Sequence, residues 1–127
     1  MSPLTTGKTG IDFPGEGSAI LQSKESAGPV GLATIGFGQG VAVTPIQLIT
    51  AISSFGNEGK LLKPRLVKEL RDSDGNTVEK FETEVVRQVV SKETAEEICD
   101  IMQFVVDEGG GGAAKVDGYK VGAKTGT

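Results

Sequence analysis

Apolar positions recur at helical spacing in two stretches of this chain. Ile46, Ile49 and Ile52, with Leu48 and Phe55, form one broad face, the kind an amphipathic helix buries. Thr44 stands before them as an N-cap type, and Pro45 suits the first helical position, where its missing N–H costs nothing. The pattern predicts a helix over about 45–56, ended by Asn57-Glu58-Gly59. In the second stretch, Ala95, Ile98, Cys99, Ile101, Met102, Val105 and Val106 share a face that Glu93, Glu96, Glu97 and Asp100 avoid. Ser91 caps this helix, predicted over about 92–107, and the four glycines Gly109 to Gly112 stop it.

Alternating and turn-rich segments fill the remainder. Leu61 to Pro64 leads into a strand from Arg65 to Arg71, Asp72-Ser73-Asp74-Gly75-Asn76 is strong turn chemistry, and Thr77 to Phe81 returns. This reads as a β-hairpin over about 65–81 with an exposed, charged tip. Val85 to Val90 is a short extended segment, Val116-Asp117-Gly118 a turn, and about 119–127 a terminal strand. Residues 1–40 carry no such period. Polar residues and glycine dominate, and the apolar patches at Ile11-Asp12-Phe13 and Ala33-Thr34-Ile35 are short, so this stretch reads as loop. Forty residues of loop is abnormal for an independent small domain; such a stretch wraps around something or has lost its partner elements. The class is α/β, in the α+β sense.

Length and composition narrow the function. The 127 residues suffice for one small domain, and no run of apolar residues is long enough to span a membrane. No signal peptide is visible at the start of the chain. Thirteen basic and seventeen acidic residues give a net charge of −4 without a basic stripe, which argues against nucleic acid as a partner. Histidine is absent, which excludes a histidine relay or a histidine metal ligand within this chain. The single cysteine, Cys99, lies among apolar residues and reads as a buried, inert thiol. The acidic residues of the second helix read as its solvated face rather than a metal or acid/base site. Glycine reaches 19 residues, about twice the usual ~7%, with no collagen period.

The glycine motifs do not make a nucleotide site. Gly7-Lys8-Thr9 lacks the earlier glycine of a phosphate-binding loop, since position 2 is Ser, and Pro14 follows where a helix should begin. In Gly36-Phe37-Gly38-Gln39-Gly40 the third glycine of a dinucleotide fingerprint falls one position early. Gly109 to Ala114 fits that fingerprint loosely, but follows a helix rather than a strand.

Lys124-Thr125-Gly126-Thr127 stands at the end of the predicted terminal strand. A K-T-G triplet is a signature of penicillin-interacting serine enzymes, though a weak one alone: Lys8-Thr9-Gly10 repeats it in a loop that reads as a turn. Context strengthens the second copy. Thr9-Gly10-Ile11-Asp12-Phe13-Pro14-Gly15-Glu16, then Gly36-Phe37-Gly38-Gln39-Gly40, Val43-Thr44-Pro45-Ile46-Gln47-Leu48, Asn57-Glu58-Gly59 and Lys63-Pro64 precede it in order, and Val116-Asp117-Gly118-Tyr119-Lys120-Val121 leads into it. Over about residues 8 to 127 the chain resembles the transpeptidase domain of class B penicillin-binding proteins, most closely the sporulation and division types.

That resemblance implies a serine D,D-transpeptidase that cross-links peptidoglycan and is acylated by β-lactams, with no cofactor or metal. In such enzymes the serine of an S-x-x-K motif attacks the D-Ala-D-Ala carbonyl, its lysine helps take the proton, and the serine of S-x-N assists. An unassisted serine is a weak nucleophile and needs such a base. By resemblance, Lys124 would present positive charge to the substrate's carboxylate, Thr125 a hydroxyl hydrogen bond, and Gly126 room for the substrate backbone. The N–H of Thr127 would be one oxyanion donor. No serine among Ser2, Ser18, Ser23, Ser26, Ser53, Ser54, Ser73 and Ser91 has lysine three residues on or asparagine two residues on. Thr5-Thr6-Gly7-Lys8 has the spacing but starts with threonine.

The expectation is therefore a partial transpeptidase domain over 1–127, truncated at both ends, inactive alone, soluble, and drawn from a membrane-anchored extracytoplasmic parent. Sheet edges left unpaired would favour self-association. The competing reading is a non-catalytic module that binds peptidoglycan or a protein.

Overall fold

The computed structural model describes residues 7–21 and 24–124. The elements run β1 (Ile20–Leu21), α1 (Lys24–Gly36), β2 (Val41–Ala42), α2 (Pro45–Gly56), β3 (Lys60–Leu62), β4 (Glu69–Arg71), β5 (Thr77–Lys80), β6 (Val85–Gln88) and α3 (Lys92–Asp107). A single turn of 3-10 helix follows at Gly112–Ala114. The strands pair as three antiparallel two-stranded ladders, β1 with β2, β3 with β6 and β4 with β5.

Both principal helices begin and end where their patterns place them. Thr44 Oγ1 accepts from the Gln47 N–H at 3.3 Å, and Gln47 Oε1 accepts from the Thr44 N–H at 2.8 Å. This reciprocal box satisfies two N–H groups that a helix start leaves orphaned. Gln47 is buried, and its amide also donates to the Gly7 carbonyl at 2.9 Å, tying the N-terminal segment to α2. At α3, Ser91 Oγ accepts from the Thr94 N–H at 3.2 Å. At its far end the Gly111 N–H folds back to the Val105 carbonyl at 3.0 Å, so the glycine run stops the helix.

The core lies where α2, α3 and β3 meet. Ala95 and Val106 of α3 and Leu61 of β3 are buried, as is Ser54 of α2, whose hydroxyl donates to the Ala51 carbonyl at 2.6 Å. Gly59 joins the end of α2 to the end of β6: its N–H donates to the Ser54 carbonyl at 2.8 Å and its carbonyl accepts from the Val89 N–H at 2.8 Å. Glu58 spans the same junction, pairing with Lys60 at 3.2 Å and Lys92 at 2.8 Å. Lys92 first and Lys60 second hold its carboxyl below the usual range. The apolar stripes of both helices are wider than this core. Ile49 on α2 and Ile101 and Phe104 on α3 stay exposed.

The hairpin forms with a shorter ladder than its sequence suggests. Asp72 Oδ1 accepts from the N–H groups of Asp74 and Asn76, closing the turn between β4 and β5. The Lys68 carbonyl still accepts from the Phe81 N–H at 3.0 Å, but residues 65–67 leave the ladder, where the Leu66 and Val67 N–H groups donate to the Asp12 carboxylate at 2.7 and 3.0 Å.

Two further expectations about the fold need correction. Residues 1–40 are not all loop, since β1 and α1 lie within them. Pro29 sits inside α1, and Gly28 beside it is non-helical at φ 59°, ψ 178°, so two short helical pieces meet at a kink. Their glycines and proline hide them from a reading based on period and propensity. Cys99 is half-buried rather than buried, because it faces a groove instead of the core.

Candidate active site

The terminal segment approaches its candidate chemistry along α3. The turn at Val116 closes with the Tyr119 N–H donating to the Val116 carbonyl at 3.1 Å. The chain then runs beside α3, where the Ala123 N–H donates to the Met102 carbonyl at 3.1 Å. The strand expected over about 119–127 does not form across 119–124 among the described residues. A strand needs a neighbouring strand to complete its ladder, and the neighbour here is a helix carbonyl.

Gly122 makes the close approach possible. A Cβ placed on it would stand 3.0 Å from Met102 Cβ, well inside the ordinary carbon–carbon separation of about 3.5–4.0 Å. Lys124 follows two residues on, with its side chain exposed. Of the sequence-based candidates, Lys124 thus lies at the end of a segment docked on α3. Thr125, Gly126 and Thr127 lie outside the described residues. A groove of about 380 Å³ opens beside the segment, lined by Ile52, Phe55, Cys99, Met102 and Lys120.

The other motifs have structural roles. In the first K-T-G copy, the Glu16 carboxylate accepts from the Thr9 N–H, the Thr9 hydroxyl and the Gly10 N–H, which closes the loop from Thr9 to Glu16; Lys8-Thr9-Gly10 is irregular and not the expected turn, which falls at Pro14-Gly15 instead. The Thr9 hydroxyl is the leading cause of a lowered Glu16 pKa. Gly36-Phe37-Gly38-Gln39-Gly40 is the turn between α1 and β2. Glu93, Glu96, Glu97 and Asp100 are exposed along α3. Among the described residues no group of three or more His, Cys, Asp or Glu side chains could hold a metal ion, and no helix is long and apolar enough to cross a membrane.

Sequence reasoning missed three residues of this arrangement. Asp12 and Glu16 were legible as members of a recognisable motif, though not as acceptors of particular N–H groups. Gly122 carried no signal, because its role is the absence of an atom facing Met102.

This arrangement has clear relatives. Residues 2–127 match the family described as the penicillin binding protein transpeptidase domain. The chain is 49% identical over 121 residues to stage V sporulation protein D of Bacillus subtilis, a match covering 94% of this chain and 19% of that protein. Among solved structures, a peptidoglycan synthetase from Bifidobacterium adolescentis superposes with a TM-score of 0.75 at 30% identity, over 91% of this chain and 21% of its own. Penicillin-binding protein 3 of Mycobacterium tuberculosis, complexed with ampicillin, superposes with a TM-score of 0.70 at 24% identity, over 94% of this chain and 25% of its own. The fold and motif order define a transpeptidase domain of the class B type. The chain belongs to the penicillin-binding protein transpeptidase family, and it spans about a fifth of the length of the curated relatives it matches.

Proposed function

We propose that these 127 residues are the K-T-G-bearing part of a serine D,D-transpeptidase that cross-links peptidoglycan and is acylated by β-lactams. The observation that carries this reading is Lys124, exposed at the end of a segment fastened to α3 through Ala123 and Met102, within a chain whose motif order is that of the family. Lys124 supplies positive charge to the carboxylate of the D-Ala-D-Ala terminus or of a β-lactam, and Thr125 hydrogen-bonds the same group. Gly126 admits the substrate backbone, and the Thr127 N–H is one oxyanion donor. Removing a single oxyanion donor costs on the order of 10²–10³ in rate.

The nucleophile and its lysine reside on S-x-x-K, and the proton-relay serine on S-x-N; neither motif occurs in these 127 residues. The chain alone is therefore inert, and the longer protein that carries it works outside the cytoplasm, held at the membrane. The exposed apolar faces of α2 and α3 and the short ladders favour self-association of the isolated chain.

The test is incubation with a fluorescent penicillin. The 127-residue chain should remain unlabelled after denaturing electrophoresis, whereas a polypeptide that adds the S-x-x-K and S-x-N segments upstream should label, and lose labelling on Lys124→Ala. Covalent labelling of the short chain overturns the assignment of the nucleophile elsewhere. Undiminished labelling of the Lys124→Ala polypeptide overturns the site. Sedimentation at rising concentration checks self-association, and a monomer throughout counts against it.

A further inference from the structure

We propose that Gly122 and Met102 form a steric stop that fixes the position of Lys124, making Gly122 a positioning residue of the acylation site. This inference rests on the transpeptidase reading above. The segment from 119 to 124 meets α3 at Met102 twice: through the Ala123 N–H to the Met102 carbonyl at 3.1 Å, and through Gly122, whose missing Cβ would fall 3.0 Å from Met102 Cβ. The Met102 backbone carbon and the Gln103 nitrogen lie behind that atom, at 3.6 and 3.7 Å from the same point. Those two contacts are of ordinary van der Waals length, so the obstacle is the Met102 Cβ, which is held by the helix backbone and cannot swing aside as a side-chain end could.

Alpha3 does not yield readily. It is capped at Ser91 and seated in the core by Ala95 and Val106. The terminal segment is the softer partner: Gly122 is exposed on its outer side, and the groove of about 380 Å³ leaves the packing beside it open. Any side chain at 122 therefore lifts the segment rather than deforming the helix. Relieving the contact requires a movement of a few tenths of an ångström for alanine and more for a branched side chain. Catalytic groups need placement within about 0.5 Å, and a misplacement of 1 Å can cost on the order of 10² in rate. Lys124, two residues along, moves with the segment.

The experiment uses the polypeptide that carries these residues together with S-x-x-K and S-x-N. Acylation by a fluorescent penicillin is resolved into the constant for non-covalent binding and the rate of covalent capture, and thermal unfolding is recorded for every variant. Gly122→Ala should lower the second-order acylation rate about tenfold, and Gly122→Val on the order of 10²-fold, at temperatures where each remains folded. Weaker non-covalent binding should account for part of the loss, since Lys124 faces the carboxylate. Adding Met102→Gly to Gly122→Ala removes the opposing Cβ and should restore most of the rate, whereas adding Met102→Ala, which keeps that Cβ, should not. Gly122→Ala adds one methyl, so it answers the question even where the valine variant fails to fold.

Acylation at the wild-type rate by Gly122→Ala, alongside loss in Lys124→Ala, overturns the steric stop and leaves the site assignment standing. Equal restoration by both Met102 variants, or by neither, also overturns it. Acylation at the wild-type rate by Lys124→Ala overturns the site assignment, and the stop with it.

Discussion

Gly59 approaches Val90 so closely that a Cβ on Gly59 would stand 2.2 Å from the Val90 carbonyl oxygen. With φ at 78°, Gly59 also occupies the left-handed region that side chains resist. The contact sits where α2 ends and where the chain leaves β6 for α3. It brings together the two helices whose sequence separation is largest among the core contacts, and α3 is the platform for the segment that carries Lys124.

Gly59→Ala should therefore be severe. A substitution at an incompatible φ costs more than the ~0.4–1 kcal/mol that glycine replacement yields at a compatible one, and strained backbone adds about 1–3 kcal/mol. Gly56→Ala is the control, since nothing lies within 4 Å of the added atom. Urea denaturation should show Gly59→Ala well below wild type and Gly56→Ala at or above it.

The Asp12 carboxylate should act as a pH-dependent fastening for the N-terminal segment. The Leu66 N–H first and the Val67 N–H second lower its pKa from the ordinary 3.8. A carboxylate with a lowered folded pKa contributes its full stabilisation above the unfolded value and loses it as pH falls through the folded one. The protection of the Leu66 and Val67 amides relative to their intrinsic exchange rates should be high at neutral pH and fall together only below about pH 3.8. Asp12→Ala should show the low protection at every pH. Unchanged exchange in that variant would show that the carboxylate does not hold these amides.

Thr44→Ala removes half of the capping box at the start of α2. The expected loss is about 1 kcal/mol, and Thr44→Ser should recover most of it because the acceptor oxygen returns. Denaturant midpoints of the three proteins measure the difference.

Ala95 is fully buried between α3 and its neighbours. Ala95→Leu should overpack that position and destabilise by about 1–3 kcal/mol. The same change at Glu96, exposed on α3, should alter stability by no more than about 0.5 kcal/mol. Thermal unfolding of both variants compares the two faces of the helix.

What the sequence made legible was local. Thr44-Pro45 and Ser91 place the starts of α2 and α3, because a cap acts on N–H groups within three residues of itself. Asp72 to Asn76 place the hairpin turn for the same reason. The hairpin's full length was not legible, since the N–H groups of Leu66 and Val67 are taken by Asp12, 54 and 55 residues away. Alpha1 stayed hidden because Gly28 and Pro29 interrupt it. At the candidate site, Lys124 was legible from its motif, while Gly122 was not.

The sequence by itself determined the two principal helices, the hairpin turn and, through the order of its motifs, the family. These depend on side-chain period, on caps and on turn chemistry, which act between near neighbours. The tertiary structure alone decided that β3 pairs with β6 across the intervening hairpin, that Asp12 reaches the base of that hairpin, that Gly59 must lack a side chain and that Gly122 packs against Met102. Each of these is set by what lies opposite in space, and a residue's identity does not encode the distance to a neighbour brought there by the rest of the chain.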